Sequence, residues 1–168
     1  MRVAVPLVIA AAMIASELLP ARITLPSPAA AQVGGLLITA PKTAILGTTT
    51  IGSTISAPLG TVTVGGQGST FWTTTVTATN FTTGGGTIDK NAVSYWSGPA
   101  TAITGPGIFT PGQPTAAQAV VLTLPRTAFT RSGSNGIHSV SWIPTLVINV
   151  PVTAVIGTYQ GTVTHTVA

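Results

Sequence analysis

The chain has 168 residues, no cysteine and a charged fraction of only 5%, with six Lys and Arg against two acids for a formal net charge of +4. This excludes thiolate metal sites, cysteine nucleophiles and disulfide scaffolds, and it excludes disorder, which requires low hydrophobicity and high charge. The cations are scattered along the sequence, whereas nucleic-acid binding wants them clustered, so no nucleic-acid partner is expected.

The N-terminus predicts a secretory signal peptide over 1–31. Arg2 gives a short positive region, 3–15 (VAVPLVIAAAMIA) an apolar run, and Ala29-x-Ala31 a small-residue cleavage site that leaves Gln32 first in the mature chain. The competing reading is an uncleaved anchor. A bilayer span needs about 20 apolar residues, and this run stops at Ser16 and Glu17. No later segment is apolar enough to span a bilayer, so 32–168 is expected as one secreted domain without a membrane span. A domain of that size folds on its core without disulfides.

Beyond the signal, short alternating segments follow. LLITA at 36–40 is the first strand, stopped by Pro41, and 43–46 continues it or begins an edge segment. Gly52 and Ser53 leave 51–56 ambiguous. LGTVTV at 59–64 ends in Gly65-Gly66-Gln67-Gly68, which predicts a hairpin to the next strand. That strand, 70–81 (TFWTTTVTATNF), carries the strongest signal: Trp72, Thr74, Val76 and Ala78 share one face, and Phe71, Thr73, Thr75, Thr77 and Thr79 the other. A Trp near the start of a long strand fills a sandwich core, so Trp72 is expected as a core anchor.

After a polar turn at Asp89-Lys90-Asn91, the strand 92–97 puts Tyr95 and Trp96 on opposite faces. The span 104–114 (TGPGIFTPGQP) is too rich in Gly and Pro for regular structure, with Phe109 pinning it to the body. AVVLTL at 119–124 is a strand, and Pro125 marks a bulge or edge. Asn135-Gly136 predicts a tight hairpin that folds 137–142 back beside 126–131. Leu146, Ile148 and Val150 share a face of 145–150, and PVTAVIG makes a corner. In 158–167, Tyr159, Gly161, Val163, His165 and Val167 alternate with Thr158, Gln160, Thr162, Thr164 and Thr166. Nine or ten short strands predict an all-β, two-sheet antiparallel β-sandwich of Ig-like layout.

Chemistry has little raw material. Asp89 is the one carboxylate side chain of 32–168, so the paired acids of a glycosidase are missing. Gly133-Ser134-Asn135-Gly136 reads as a hairpin, not a nucleophile elbow, and two isolated histidines match no metal-ligand spacing. The expectation is a protein that is not an enzyme and has no cofactor or metal. His138, just after a turn, is expected to be exposed, and His165 to be a hydrogen-bonded core or rim residue. Trp96 is the tryptophan expected at the surface, where aromatic rings stack on sugars. Trp142, at a strand end, fits core or surface. The threonine-rich outer faces raise an ice or polysaccharide surface, but such surfaces want flat, regular T-x-T ladders on a repeat scaffold, so the expectation is the ordinary preference of Thr for solvent-facing strand positions.

The stretch 36–168 resembles the WxL-type surface domain of Gram-positive bacteria. The first W-x-L motif corresponds to Trp72-Thr73-Thr74, followed by Asn80-Phe81-Thr82. The second, introduced by Gly157-Thr158-Tyr159, corresponds to His165-Thr166-Val167. Thr74, His165 and Val167 stand in place of the other motif residues, and each pair keeps a spacing of two, hence one sheet face. FTTGGGT, SYWSGPAT and FTPGQPT are also similar to small exported proteins of high-GC Gram-positive bacteria. The resemblance implies an exported, non-enzymatic binding module held non-covalently on the cell wall. The candidate wall-binding or motif residues are Trp72, Thr74, His165 and Val167 from the resemblance, with Trp96 and Trp142 added as aromatics able to stack on sugars, and the expected partner is a cell-wall polymer. The alternative is a structural surface module that self-assembles, or pairs with another surface protein, through an edge strand.

Overall fold

The computed structural model describes residues 3–13, 29–33 and 35–168. In chain order the strands are β1 (Val3–Met13), β2 (Ala29–Val33), β3 (Leu36–Ala40), β4 (Thr43–Ile45), β5 (Thr54–Pro58) and β6 (Val62–Gly66). They continue with β7 (Phe71–Ala78), β8 (Phe81–Thr83), β9 (Gly86–Ile88), β10 (Val93–Trp96), β11 (Ala100–Thr104) and β12 (Ile108–Pro111). The last are β13 (Val120–Val121), β14 (Arg126–Ser132), β15 (His138–Trp142), β16 (Thr145–Asn149) and β17 (Gly157–Val167). The fold is all-β, as the period-two alternation and β-branched composition predict.

One layer is the sheet β12-β14-β7-β17-β1-β4, with β8 pairing β17 on the same side as β7 and β9 pairing β8. Its pairings are antiparallel except β1 with β4. Facing it are two shorter sheets, β11-β15-β6-β3-β2 and β13-β10-β16-β5. These are halves of one bent surface. β10 runs into β11 through Ser97-Gly98-Pro99, β15 into β16 through Ile143-Pro144, and β5 into β6 through Leu59-Gly60-Thr61, in the same lateral order. The bend falls where prolines cannot donate to a ladder and where Gly60 and Gly98 adopt positive φ, 89° and 72°. Leu59 N–H donates to the Pro144 carbonyl at 2.8 Å and holds two of the strands together across it.

The alternations in 70–81 and 158–167 fall as expected. Trp72, Thr74 and Val76 are buried while Phe71 is exposed and Thr73, Thr75 and Thr77 are half-buried. Tyr159, Gly161, Val163, His165 and Val167 are buried on β17.

Both expected hairpins are corrected. β6 and β7 lie in opposite layers, as do β14 and β15, so 67–70 and 133–137 are arches. The reason is burial: each strand has one apolar face, and facing layers let those faces cover each other. The arches run side by side, with Gly133 N–H donating to the Thr70 carbonyl at 2.9 Å.

The span 104–114 is also more regular than its Gly and Pro content predicts. β12 finds an open edge on β14, Ile108 opposite Ser132 and Pro111 opposite Phe129. In the segment 119–124, only Val120–Val121 pairs, with β10, before the chain turns. The expected signal segment 1–31 is described in 3–13 and 29–31, within β1 and β2. Residues 14–28, between them, lie outside the described residues. Among the described residues, no helix is long and apolar enough to cross a membrane.

Candidate functional site

Five of the six candidate residues are inside the sandwich. Trp72, Thr74, Trp142, His165 and Val167 are each 0% exposed, so their side chains present nothing to a wall polymer in this structure. Trp142 and His165 form part of a polar-aromatic spine between the layers. Phe129 stacks on Trp142 with centroids 4.7 Å apart. Trp142 Nε1–H donates to Tyr95 Oη at 3.4 Å, and Tyr95 Oη lies 3.1 Å from His165 Nε2.

Indole N–H only donates, so Tyr95 accepts from Trp142 and gives its own proton to His165 Nε2. That arrangement leaves one polar hydrogen of this network without a partner among the described residues, the proton on His165 Nδ1. The opposite tautomer would leave the tyrosine proton without an acceptor as well. Burial lowers the His165 pKa to about 4 and raises that of Tyr95, an effect the Trp142 hydrogen bond partly offsets.

His138, expected to be exposed, is buried, and this is a correction. Its Nε2 accepts from Trp72 Nε1–H at 3.1 Å, and its Nδ1–H donates to the Gly136 carbonyl at 3.0 Å. Both ring nitrogens are thereby paired, which is why the arch over 133–137 folds inward onto Trp72. Phe109 closes this end, 6.3 Å from Trp72 and 6.4 Å from His138 between ring centroids. The expectation that Phe109 pins its segment to the body is met.

Arg131 is the residue the sequence reading missed. A bulge between Thr127 and Phe129 sends both Ala128 and Phe129 inward and resets the alternation, so Arg131 also turns in and is fully buried. Its guanidinium donates to the carbonyls of Ser69, Pro106 at 2.7 Å and Ser134 at 2.8 Å, and sits 5.8 Å from the Phe109 ring centroid. One cation thus ties together three connections, 67–70, 105–107 and 133–137. Nothing in a simple two-residue period reveals this, because the bulge breaks the period.

The outer face of the first sheet presents a regular array at the surface. Pairing sets its threonines in rows: Thr110, Thr130 and Thr73 across β12, β14 and β7; Thr127, Thr75 and Thr166 across β14, β7 and β17; and Thr77 beside Thr164. Neighbours in a row are about 4.8 Å apart, and rows about 7 Å apart. Two grooves open on this face. One of about 480 Å³ is lined by Thr73, Thr75, Thr77, Pro125, Thr166 and Ala168. The other, of about 490 Å³, is lined by Thr79, Asn80, Thr82, Gln160, Gly161 and Thr162. Among the described residues, no charged side chain lines either. Each threonine offers a hydroxyl that donates and accepts, beside a methyl, a pattern that a neutral carbohydrate matches.

Trp96, expected at the surface, is half-buried. It stands on the outer face of the other layer, opposite Thr145, with its ring against Gly98. It is therefore separated from the threonine rows by the thickness of the sandwich. Asp89 accepts the Asn91 N–H at 2.9 Å and caps a short 3₁₀ turn. Among the described residues, no three His, Asp or Glu side chains gather as a metal site would require. No family model matches the chain, and neither a curated protein nor a solved structure does.

Proposed function

We propose that the protein is an exported, non-enzymatic β-sandwich that associates non-covalently with the bacterial cell wall, and that the threonine rows hold a neutral wall polysaccharide. The observation that carries this reading is the run of uncharged hydroxyl-and-methyl positions across β12, β14, β7 and β17, with both grooves opening along it. The resemblance to WxL-type domains supports the same reading, with the motif pairs acting from inside. Trp72 with Thr74, and His165 with Val167, anchor the inward faces of β7 and β17. That anchoring fixes Thr73, Thr75, Thr164 and Thr166 outward.

Binding to such a face depends on hydrogen bonds and contact, not charge, so salt should screen it little. Co-sedimentation of the exported protein with purified Gram-positive cell walls, at 50 mM and 1 M salt, tests this. Retention at both concentrations is expected. No enrichment in the pellet, or release by salt, would sink the reading.

A further inference from the structure

The strand β1 sits between β17 and β4, paired with β17 along its whole length from Val3 opposite Val167 to Met13 opposite Gly157. It also pairs with β4 from Val8 opposite Thr43 to Ala10 opposite Ile45. In an antiparallel strand the N–H and C=O of one residue point to the same side, and those of its neighbours to the other. Thr162 N–H donates to Thr79 Oγ1 and its carbonyl accepts from Thr79 N–H, so the even-numbered residues of β17 turn toward β7 and β8. The odd-numbered ones, Gly157, Tyr159, Gly161, Val163, His165 and Val167, therefore turn their backbone groups toward β1.

The parity fits the N-terminal sequence. Pro6, which has no N–H to give, lies opposite Thr164, a residue whose backbone groups point away from β1. It is also outside the three positions paired with β4. The proline of the apolar segment thus stands where neither ladder needs a donor.

We propose that removal of 1–31 on export vacates this position and leaves β17 as a strand acceptor for an extended, uncharged, apolar segment of about eleven residues from another exported chain. The segment would run antiparallel to β17, completing the sheet by strand addition. Its occupant is specified by the segment seated there now, VAVPLVIAAAM, which has no charged residue. β4 flanks the position on its far side, so it admits one strand and disfavours the β17 edge of a second copy. This inference is independent of the polysaccharide reading and takes the edge-strand expectation to a named edge.

The test uses full-length chain secreted from a Gram-positive host, with the exported product purified and its intact mass measured. Two peptides are then titrated into it: residues 3–13 with lysines appended for solubility, and the same peptide with Pro6 and Leu7 exchanged. The exchange puts the proline opposite Val163, where the ladder needs a donor. The expected result is a product beginning at Gln32 whose melting temperature the first peptide raises by at least about 5 °C at saturation. The exchanged peptide should bind at least about tenfold more weakly. A mass retaining 3–13, a product dimeric without peptide, equal binding of the two peptides, or no binding of either would each overturn the proposal. No wall material is present, so the outcome is separable from that of the co-sedimentation.

Discussion

Protonation of His165 should destabilise this protein from within. Its ring is fully buried, its Nε2 faces the Tyr95 hydroxyl at 3.1 Å, and Tyr95 is itself pinned by Trp142. Burial holds the folded pKa at about 4, against about 6.5 in an unfolded chain. Between those two values the unfolded state binds a proton that the native state refuses, so stability falls as pH falls. The contribution is fully present above about pH 6.5, is lost progressively toward pH 4, and loses no more below that. At about 1.4 kcal/mol per pH unit, the loss is on the order of 3 kcal/mol. Urea unfolding at pH 7.5 and 4.5, compared with His165→Gln, measures it. Glutamine keeps an acceptor for the tyrosine proton and does not titrate. The wild type should lose most of that energy across the interval and the variant much less. Parallel pH dependences in the two proteins would refute the argument that a neutral, buried His165 is part of the core.

Three further perturbations follow from the same packing. Trp142→Ala removes a ring that is 0% exposed and stacked on Phe129, and should cost about 3–5 kcal/mol in urea unfolding. Arg131→Met keeps the buried stem but leaves three carbonyls without their donor. It should cost at least about 2 kcal/mol and open the arch over 133–137 to limited proteolysis. With Trp72 and Trp142 enclosed and Trp96 half-buried, iodide should quench one tryptophan. Trp96→Phe should remove the quenchable component, whereas a residual component would place another indole at the surface.

The strands were legible where side chains alternate without interruption. In 70–81 and 158–167 alternate positions mark solvent and core, the outward ones mostly threonine and the inward ones including Trp72, Thr74, Val76, Tyr159, Val163, His165 and Val167, and the structure follows that alternation. Legibility failed where one interaction across the sandwich outweighed a local signal. Asn135-Gly136 is a good hairpin dipeptide, yet His138 bonded to Trp72, and Arg131 bonded to Ser69, draw that turn into an arch between layers. His138 looked solvent-facing for the same reason, because its partner lies 66 residues away. Arg131 was hidden by a bulge, which no residue type in RTAFTR announces. Trp72 with Thr74, and His165 with Val167, share a face as their spacing of two predicts, but spacing alone does not say whether a face is inner or bound to a ligand. Burial decided this for Trp142, which sequence left open. The threonine rows were visible as composition and not as a surface, since the lateral register of β12, β14, β7 and β17 is set only in the fold.

On the proposed reading the outward threonines, and not the tryptophans, hold the wall. The most direct measurement of this is the fraction of protein co-sedimenting with purified cell walls for the wild type, for Thr75→Lys with Thr164→Lys, and for Trp96→Ala. Lysine at two half-buried, solvent-facing positions leaves the core intact, which matched melting temperatures would verify. The double threonine variant should lose most of its wall binding, by about tenfold or more, which corresponds to about 1.4 kcal/mol or more of binding energy, while Trp96→Ala should bind like the wild type. Undiminished binding by the threonine variant together with loss in Trp96→Ala would contradict that reading and move the site to the opposite layer.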